Sequence, residues 1–283
     1  MLVSEDCWFT RVNSIMFNMD NKKQKMLNVL KELKNEYGVM AVKAEFEAEG
    51  SRLDELIMLN EVVYRADMNL VIKIGGCEAV RDLGQCKLLG AKGIMAPMIE
   101  TPFAMKKFVS SAHKVYKDQV KEIEWIINTE TKTCRQNFDE ILEVGKDFLN
   151  TIAIGRVDLS ASMGIGREDI NGDSVYEVAE EFAKKATKAG IRVGIGGGVS
   201  MEAIPFFIRL KSYLHKFETR KIVFRFVDNE KLLRRGLVLA MEFELLYLQN
   251  KCDFYRSMEV EDKERIVMLE KRYNYAKEQF GFE

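Results

Sequence analysis

A short apolar run followed by an amphipathic stretch recurs along most of this chain, and that alternation constrains its fold more than any other feature. Runs at 38–47, 69–76, 92–100, 121–130, 151–160, 191–200 and 221–229 read as strands. Helical spacing fills the intervals 51–66, 78–89, 102–117, 136–147, 173–189 and 201–216. An opening helix from about 21 to 37 puts Met26, Leu30, Leu33 and Tyr37 on one face, with Gly38 closing it. Strand and helix in regular alternation build βαβ units and a parallel sheet. Seven strands are too many for a small open sheet and one short of a closed barrel, so an eighth is expected in residues 1–20, where the pattern is weak. From Glu230 onward the chain reads as helical, in two or more segments.

The length of 283 residues suits one (β/α)₈ barrel. Three prolines and no Gly/Ser/Pro-rich linker argue for a single domain over 1–283, with residues after about 250 as an accessory helical tail. The expected fold is therefore α/β, a TIM barrel with extra C-terminal helices. The competing architecture, an open doubly wound sheet, usually carries G-x-G-x-x-G after its first strand. Here the glycines cluster as GIGGGVS at 194–200, near the sixth strand and with other spacing.

Composition narrows the function. Hydrophobic residues make up 47% and charged residues 31%, enough for a large core under a solvated surface. A formal charge of −1, from 43 basic and 44 acidic residues, gives no basic surface for nucleic acid. Cys7, Cys77, Cys86, Cys134 and Cys252 are scattered and form no CxxC pair, which points to reduced thiols in a cytoplasm rather than a disulfide framework or structural zinc. MLVSEDCWFTRVNS has no signal-like apolar core, and no run approaches the roughly 20 residues that span a bilayer. Neither a membrane nor a nucleic-acid partner is expected.

A parallel barrel builds its active site from the C-terminal strand ends. The polar residues there are Glu45, Glu47, Lys73, Glu100, Glu130, Asp158 with Ser160 and Ser162, glycines 196–198, and Arg225 with Asp228. Loop solvation or helix capping accounts for any one of them. Two stand out. Glu130 closes the run Trp125-Ile126-Ile127-Asn128-Thr129, and Asp158 follows the run 151–157 one βα unit later, so the two are expected side by side on one rim. Paired carboxylates repel by several kcal/mol unless a proton or cation lies between them. Oxygen ligands of this kind suit Mg²⁺ or Mn²⁺. On the residues alone, an Asp158 helix cap and a Glu130 ion pair with Lys132 or Arg135 are equally open.

The sequences INTETKTCRQNFDEIL and IAIGRVDLSASMG together resemble the paired signature of the HpcH/HpaI aldolase and citrate lyase beta-subunit family, within the phosphoenolpyruvate/pyruvate superfamily. The matching residues are Thr129-Glu130-Thr131, then Asn137 to Ile141, then Gly155 through Gly164. GAKGIMAPMIET (90–101) and DNEKLLRRGL (228–237) resemble the preceding strand and the last strand-to-helix turn, so the likeness runs from about 38 to 245. The resemblance implies a closed barrel, Glu130 and Asp158 as Mg²⁺ or Mn²⁺ ligands, and carbon–carbon lyase or aldolase chemistry on a pyruvate-like 2-oxo acid through a metal-bound enolate. Ser160 and Gly155, within the second motif, are expected to line the substrate. Superfamily relatives that exchange late helices between subunits imply a homo-oligomer contacting through the tail, where Ile266, Met268, Leu269, Tyr273 and Tyr275 are apolar.

The departures bear on mechanism. Aldolases of the family usually carry an Arg where this chain has Lys73, a positive donor without a bidentate fork. They also carry a His where this chain has Glu45-Phe46-Glu47-Ala48-Glu49, so Glu47 becomes the candidate acid/base. His113 and His215 both fall in stretches read as helix and are expected at the surface. Gly196, Gly197 and Gly198 are candidates to bind an anion, phosphate included, through backbone N–H groups, although a tight turn would also need them. Fifteen methionines read as core filler. Two alternatives to the lyase reading stand: another metal-dependent reaction, on a thioester or phosphoester, and a non-catalytic small-molecule-binding barrel.

Overall fold

The computed structural model describes residues 20–280. Eight strands close into a barrel in sequence order: β1 (Val39–Glu45), β2 (Asn69–Lys73), β3 (Gly93–Ala96), β4 (Glu124–Thr129), β5 (Thr151–Gly155), β6 (Arg192–Gly196), β7 (Leu214–Glu218) and β8 (Ile222–Arg225). Nine α-helices accompany them among the described residues: α1 (Asn21–Glu36), α2 (Leu53–Arg65), α3 (Val80–Leu88), α4 (Pro102–Tyr116), α5 (Lys132–Gly145), α6 (Arg156–Ser162), α7 (Asp173–Lys188), α8 (Ile204–Arg209) and α9 (Glu230–Phe280). The apolar stripes of the outer helices pack onto the outward faces of the strands, whose inner and outer residues alternate. Inside the barrel, Ala41, Val71, Met95, Ile126, Ala153 and Val223 form one packed layer. It floors the mouth above it.

The closure differs from the expectation in one respect. β1 to β7 are parallel, but β8 pairs antiparallel with both β7 and β1. The turn 219–221 joins β7 to β8 as a hairpin, where a further βα unit would need a helical crossover. The additional strand is thus β7, which begins inside the stretch read as helix 201–216 and runs two residues past it, and the barrel closes with strands from 39–225. The strand placed in residues 1–20 lies outside the described residues. His215 is accordingly a strand residue, exposed, with its Nδ1 accepting from Val193 N at 3.2 Å.

A reversed β8 also moves Arg225 and Asp228 away from the active-site rim. Arg225 pairs with Lys216 and donates its N–H to Gly38 O, which puts it at the end where β1 begins. Asp228, beyond it, holds Lys211 at 2.9 Å. Neither belongs to the mouth.

The tail is one helix rather than several. α9 starts at the lower end, buries Leu233, Leu237, Ala240, Phe243 and Tyr247 along one side, and packs against α1. Tyr255 Oη donates to Glu55 Oε1 at the start of α2, and Asp253 pairs with Lys22. From Ser257 to Tyr275 every residue is exposed.

Candidate active site

Glu130 is the deepest acidic group at the barrel mouth. It follows β4 directly, is 1% exposed, and is held at both oxygens. Oε2 accepts from Asn128 Nδ2 at 3.0 Å and Oε1 from Met98 N at 3.3 Å. Met98 adopts a left-handed backbone, φ 50°, in the segment after β3, a conformation uncommon for a residue with a Cβ. Thr131 accepts from Cys134 N at 3.0 Å as the cap of α5, so the residue after Glu130 is fixed as well. Burial and the nearby charges of Asp158 and Glu47 push the Glu130 carboxyl up to about 7, against the opposing pull of Lys73.

The ion-pair alternative for Glu130 is not what forms: Arg135 pairs with Glu181 at 2.7 Å, and the Lys132 ammonium makes no ion pair among the described residues. Asp158 sits in the first turn of α6, just past β5, rather than on the strand itself. Gly155 occupies the cap position of that helix, so Asp158 is not the cap; it is exposed and makes no side-chain hydrogen bond or ion pair among the described residues.

Around this pair the barrel mouth holds alternating charges. Lys73, at the end of β2 and 8% exposed, reaches Glu47 Oε2 at 2.7 Å. Glu47 and the charges of Glu130 and Glu45 hold its ammonium above the usual lysine range despite burial. Lys43 on β1 bridges Glu45 at 3.0 Å and Glu218 of β7 at 2.7 Å. Lys43 and Glu218 were not singled out by sequence. Both alternate with apolar residues in VKAE and HKFE, but the charged side of each strand faces into the barrel.

The remaining candidates are placed as follows. Gly155 lies directly against the Glu130 carboxylate. Ser160 is buried, and its hydroxyl donates to Val157 O at 2.9 Å within its own helix. Ser162 does the same to Leu159 O. Glu100 accepts from Thr131 Oγ1 at 2.7 Å and serves the β4–α5 turn.

Gly196, Gly197 and Gly198 turn their carbonyls onto Arg156, which is fully buried and donates to all three at 3.2, 2.8 and 3.3 Å. Its guanidinium also donates to Asn171 Oδ1 and lies over the Phe206 and Phe207 rings. Gly197 and Gly198 have φ of +75° and +61°. A Cβ on Gly197 would meet the N atoms of Arg156 and Val157 at 2.8 Å, so glycine is required for the β6 loop to seat on the start of α6. The loop is thus a lip locked to the helix that carries Asp158.

Comparison with known proteins gives the family and agrees with the barrel fold. The HpcH/HpaI aldolase/citrate lyase family model matches residues 47–196, just over half of the chain, from Glu47 to the end of β6. No curated protein matches the chain in sequence. Among solved structures, an HpcH/HpaI aldolase from Desulfitobacterium hafniense DCB-2 superposes with a TM-score of 0.56 at 18% identity, covering 71% of this chain and 83% of its own. An HpcH/HpaI aldolase/citrate lyase family protein from Burkholderia cenocepacia J2315 gives 0.53 at 16% identity, covering 77% and 99%.

Proposed function

For a chain that belongs to the HpcH/HpaI aldolase/citrate lyase family, we propose a divalent-metal-dependent carbon–carbon lyase that releases or adds a pyruvate-like 2-oxo acid. The observation that carries the reading is Glu130: a carboxylate buried at the barrel mouth, fixed at both oxygens, with the unpaired Asp158 one βα unit away.

The donor set suits a hard dication. Glu45, Glu47, Glu130, Asp158 and Glu218 face two ammonium groups, Lys43 and Lys73, so the mouth carries excess negative charge when all are ionised. Glu130 and Asp158 would hold Mg²⁺ or Mn²⁺, leaving positions open for water and substrate. Bound there, the ion supplies Lewis acidity toward the keto and carboxylate oxygens of a 2-oxo acid.

Lys73 presents a fixed positive charge near Glu130, where it attracts the substrate carboxylate and stabilises negative charge developing on the keto oxygen. Glu47, half-buried and tied to Lys73 through Oε2, keeps Oε1 to accept a proton. In the cleavage direction the carbinol proton of a 4-hydroxy-2-oxo acid passes to Glu47. The bond between the carbinol carbon and the carbon beside the ketone breaks, leaving an aldehyde and the enolate of pyruvate. The proton then returns to the enolate carbon. Gly155 and the lip of Gly196, Gly197 and Gly198 shape the wall beside Glu130 and Asp158.

The free thiols of Cys77, Cys86, Cys134 and Cys252 fit a reducing cytoplasm, and no helix among the described residues is long and apolar enough to cross a membrane. The working form is a single-domain protomer in a homo-oligomer. The test is pyruvate release from 4-hydroxy-2-oxo acids and decarboxylation of oxaloacetate, each with and without Mn²⁺. Metal-dependent turnover of either is expected. Absence of both, together with no thermal stabilisation by Mn²⁺ or Mg²⁺, overturns the reading.

A further inference from the structure

Two cavities are lined by residues of the lip. The inner one, about 140 Å³, is lined by Lys43, Glu45, Glu218 and the lip residues Gly197, Gly198 and Val199. The outer one, about 400 Å³, is walled by Arg167, Ser200 and Met201, and by Leu237, Met241 and Glu244 of α9. Gly198, Val199, Thr219 and Arg220 belong to both, so the two are neighbouring chambers with a common wall. The inner chamber in turn adjoins the catalytic mouth, because Glu45 pairs in register with Lys73.

The antiparallel β8 puts a short hairpin turn into the wall of the outer chamber. Its hairpin turn 219–221 is short and carries Arg220 to the rim, where a long βα loop would otherwise fold over the mouth. The turn is anchored by Lys221, which is 1% exposed, ion-paired with Glu49 and seated on the Tyr247 ring at 4.4 Å. Arg220 is therefore an exposed head on a buried base.

The wall of the outer chamber carries two guanidiniums, Arg167 and Arg220, and two carboxylates, Glu202 and Glu244. Arg167 makes no hydrogen bond or ion pair among the described residues. Arg220 has only loose partners, Glu49 at 3.9 Å and Glu244 at 3.8 Å. Of the two carboxylates in the wall, Glu202 is engaged by the Ser200 hydroxyl, and Glu244 is the one leaning on Arg220. Two guanidiniums with unused donors, and the Thr219 hydroxyl nearby, suit a tetrahedral oxyanion that accepts from several donors at once. Loops after the late strands are also where barrels commonly hold phosphate.

Resting on the lyase reading of the mouth, we propose that Arg167 and Arg220 bind a terminal phosphate on the non-pyruvate half of the substrate, which makes the acceptor a short phosphorylated aldehyde. The chain of that aldehyde runs from the mouth past Lys43 and Glu218, over the glycine lip, into the outer chamber. The glycine amides themselves are not the anion site. The lip serves by being low, since any side chain on Gly198 would stand in the passage and strike Ile170.

Two measurements test this. Calorimetric titration of the full-length protein with inorganic phosphate should show binding that Arg167→Ala and Arg220→Ala each weaken by about 10- to 100-fold, the loss expected of a charge-assisted hydrogen bond. This readout needs no turnover, so it stands or falls apart from the lyase reading. Aldol addition of pyruvate is then compared with a hydroxyaldehyde, its terminal phosphate ester, and an aldehyde of equal length ending in carboxylate. The wild type should favour the phosphate ester in kcat/KM over both, and either substitution should collapse that ratio toward one. No phosphate binding, equal use of the carboxylate, or a preference that survives both substitutions overturns the proposal. A protein that binds phosphate through the two arginines but releases no pyruvate keeps the anion site and removes the lyase reading.

Discussion

Gly155 leaves the space in which the Glu130 carboxylate rests. A Cβ built on Gly155 would overlap Glu130 Oε2 and come within 3.0 Å of its Cβ. Glu130 directly follows β4 and Gly155 ends the neighbouring β5, so neither backbone can withdraw without straining the ladder that joins Thr129 to Ile154. The glycine is thus a condition for the orientation of Glu130. Gly155→Ala is expected to displace the carboxylate from Asn128 and Met98 and to lower kcat/KM by roughly 10²-fold or more. Circular dichroism should remain that of a folded barrel. Wild-type activity in Gly155→Ala would show that Glu130 does not need its observed position.

The raised Glu130 pKa has a consequence for stability. A carboxyl at about 7 in the folded protein, against 4.5 as the ordinary value, holds a proton between those pH values that the unfolded chain releases. Stability of the metal-free protein should therefore be greatest from this group below about pH 4.5 and decline as pH rises through about 7, by on the order of 3 kcal/mol. Glu130→Gln should lack that decline. Mn²⁺ must displace the same proton, so its affinity should drop as pH falls below about 7. Scanning calorimetry from pH 4.5 to 8 on metal-free wild type and Glu130→Gln checks the first point. Identical pH slopes would assign the titration to another group. Glu130→Gln and Asp158→Asn should each abolish metal-dependent turnover with the fold retained.

Lys73 can be separated from a plain ion-pair partner of Glu47. Lys73→Ala is expected to lower kcat by roughly 10²-fold or more if its charge meets the developing oxyanion, whereas Lys73→Arg retains or raises activity. If the lysine only restrains Glu47, Lys73→Ala should instead shift the pH profile while preserving kcat at its optimum. Rate profiles of both variants across pH decide between the two roles.

Sequence reading reached Glu130, Asp158 and Lys73 because each ends or closely follows an apolar strand and so breaks a pattern that apolar residues define. Lys43 escaped because it lies within β1, where polar alternation usually signals a solvated face, and Glu218 because the strand it ends was not read as one. β7 was absorbed into the preceding helix for a related reason: IPFFIRLKSYLH keeps helical spacing, while only five residues, LHKFE, form the strand. Strand direction carries no periodic signal at all, so KIVFR reads the same whether β8 runs up or down. That single reversal moved Arg225 and Asp228 off the rim and brought Arg220 onto it. Arg156 was hidden by its motif, where the glycine and Asp158 drew the functional reading and the buried guanidinium between them looked like a spacer.

The exposed end of α9 supports the last prediction. The helix is anchored to the barrel through Tyr247 and, further along, by Tyr255 on Glu55 and Asp253 on Lys22. Beyond Ser257 the helix is exposed up to Tyr275, and Ile266, Val267, Met268 and Leu269 are all about half exposed or more. Ile266 and Leu269, three residues apart, fall on one side of the helix and extend the apolar surface along it. A helix projecting alone into water is marginal, and an uncovered stripe of this length is stabilised by burial against another surface. A second copy of the chain offers the same stripe, and symmetric pairing would bury both at once. The full-length protein is therefore expected to be a homo-oligomer, and a truncation ending near Lys251 to be smaller in assembly while keeping the barrel fold. Light scattering on both forms, with circular dichroism on the truncation, measures this. A monomeric full-length protein, or an oligomer that survives truncation, would mean that the stripe of α9 is not the contact that joins subunits.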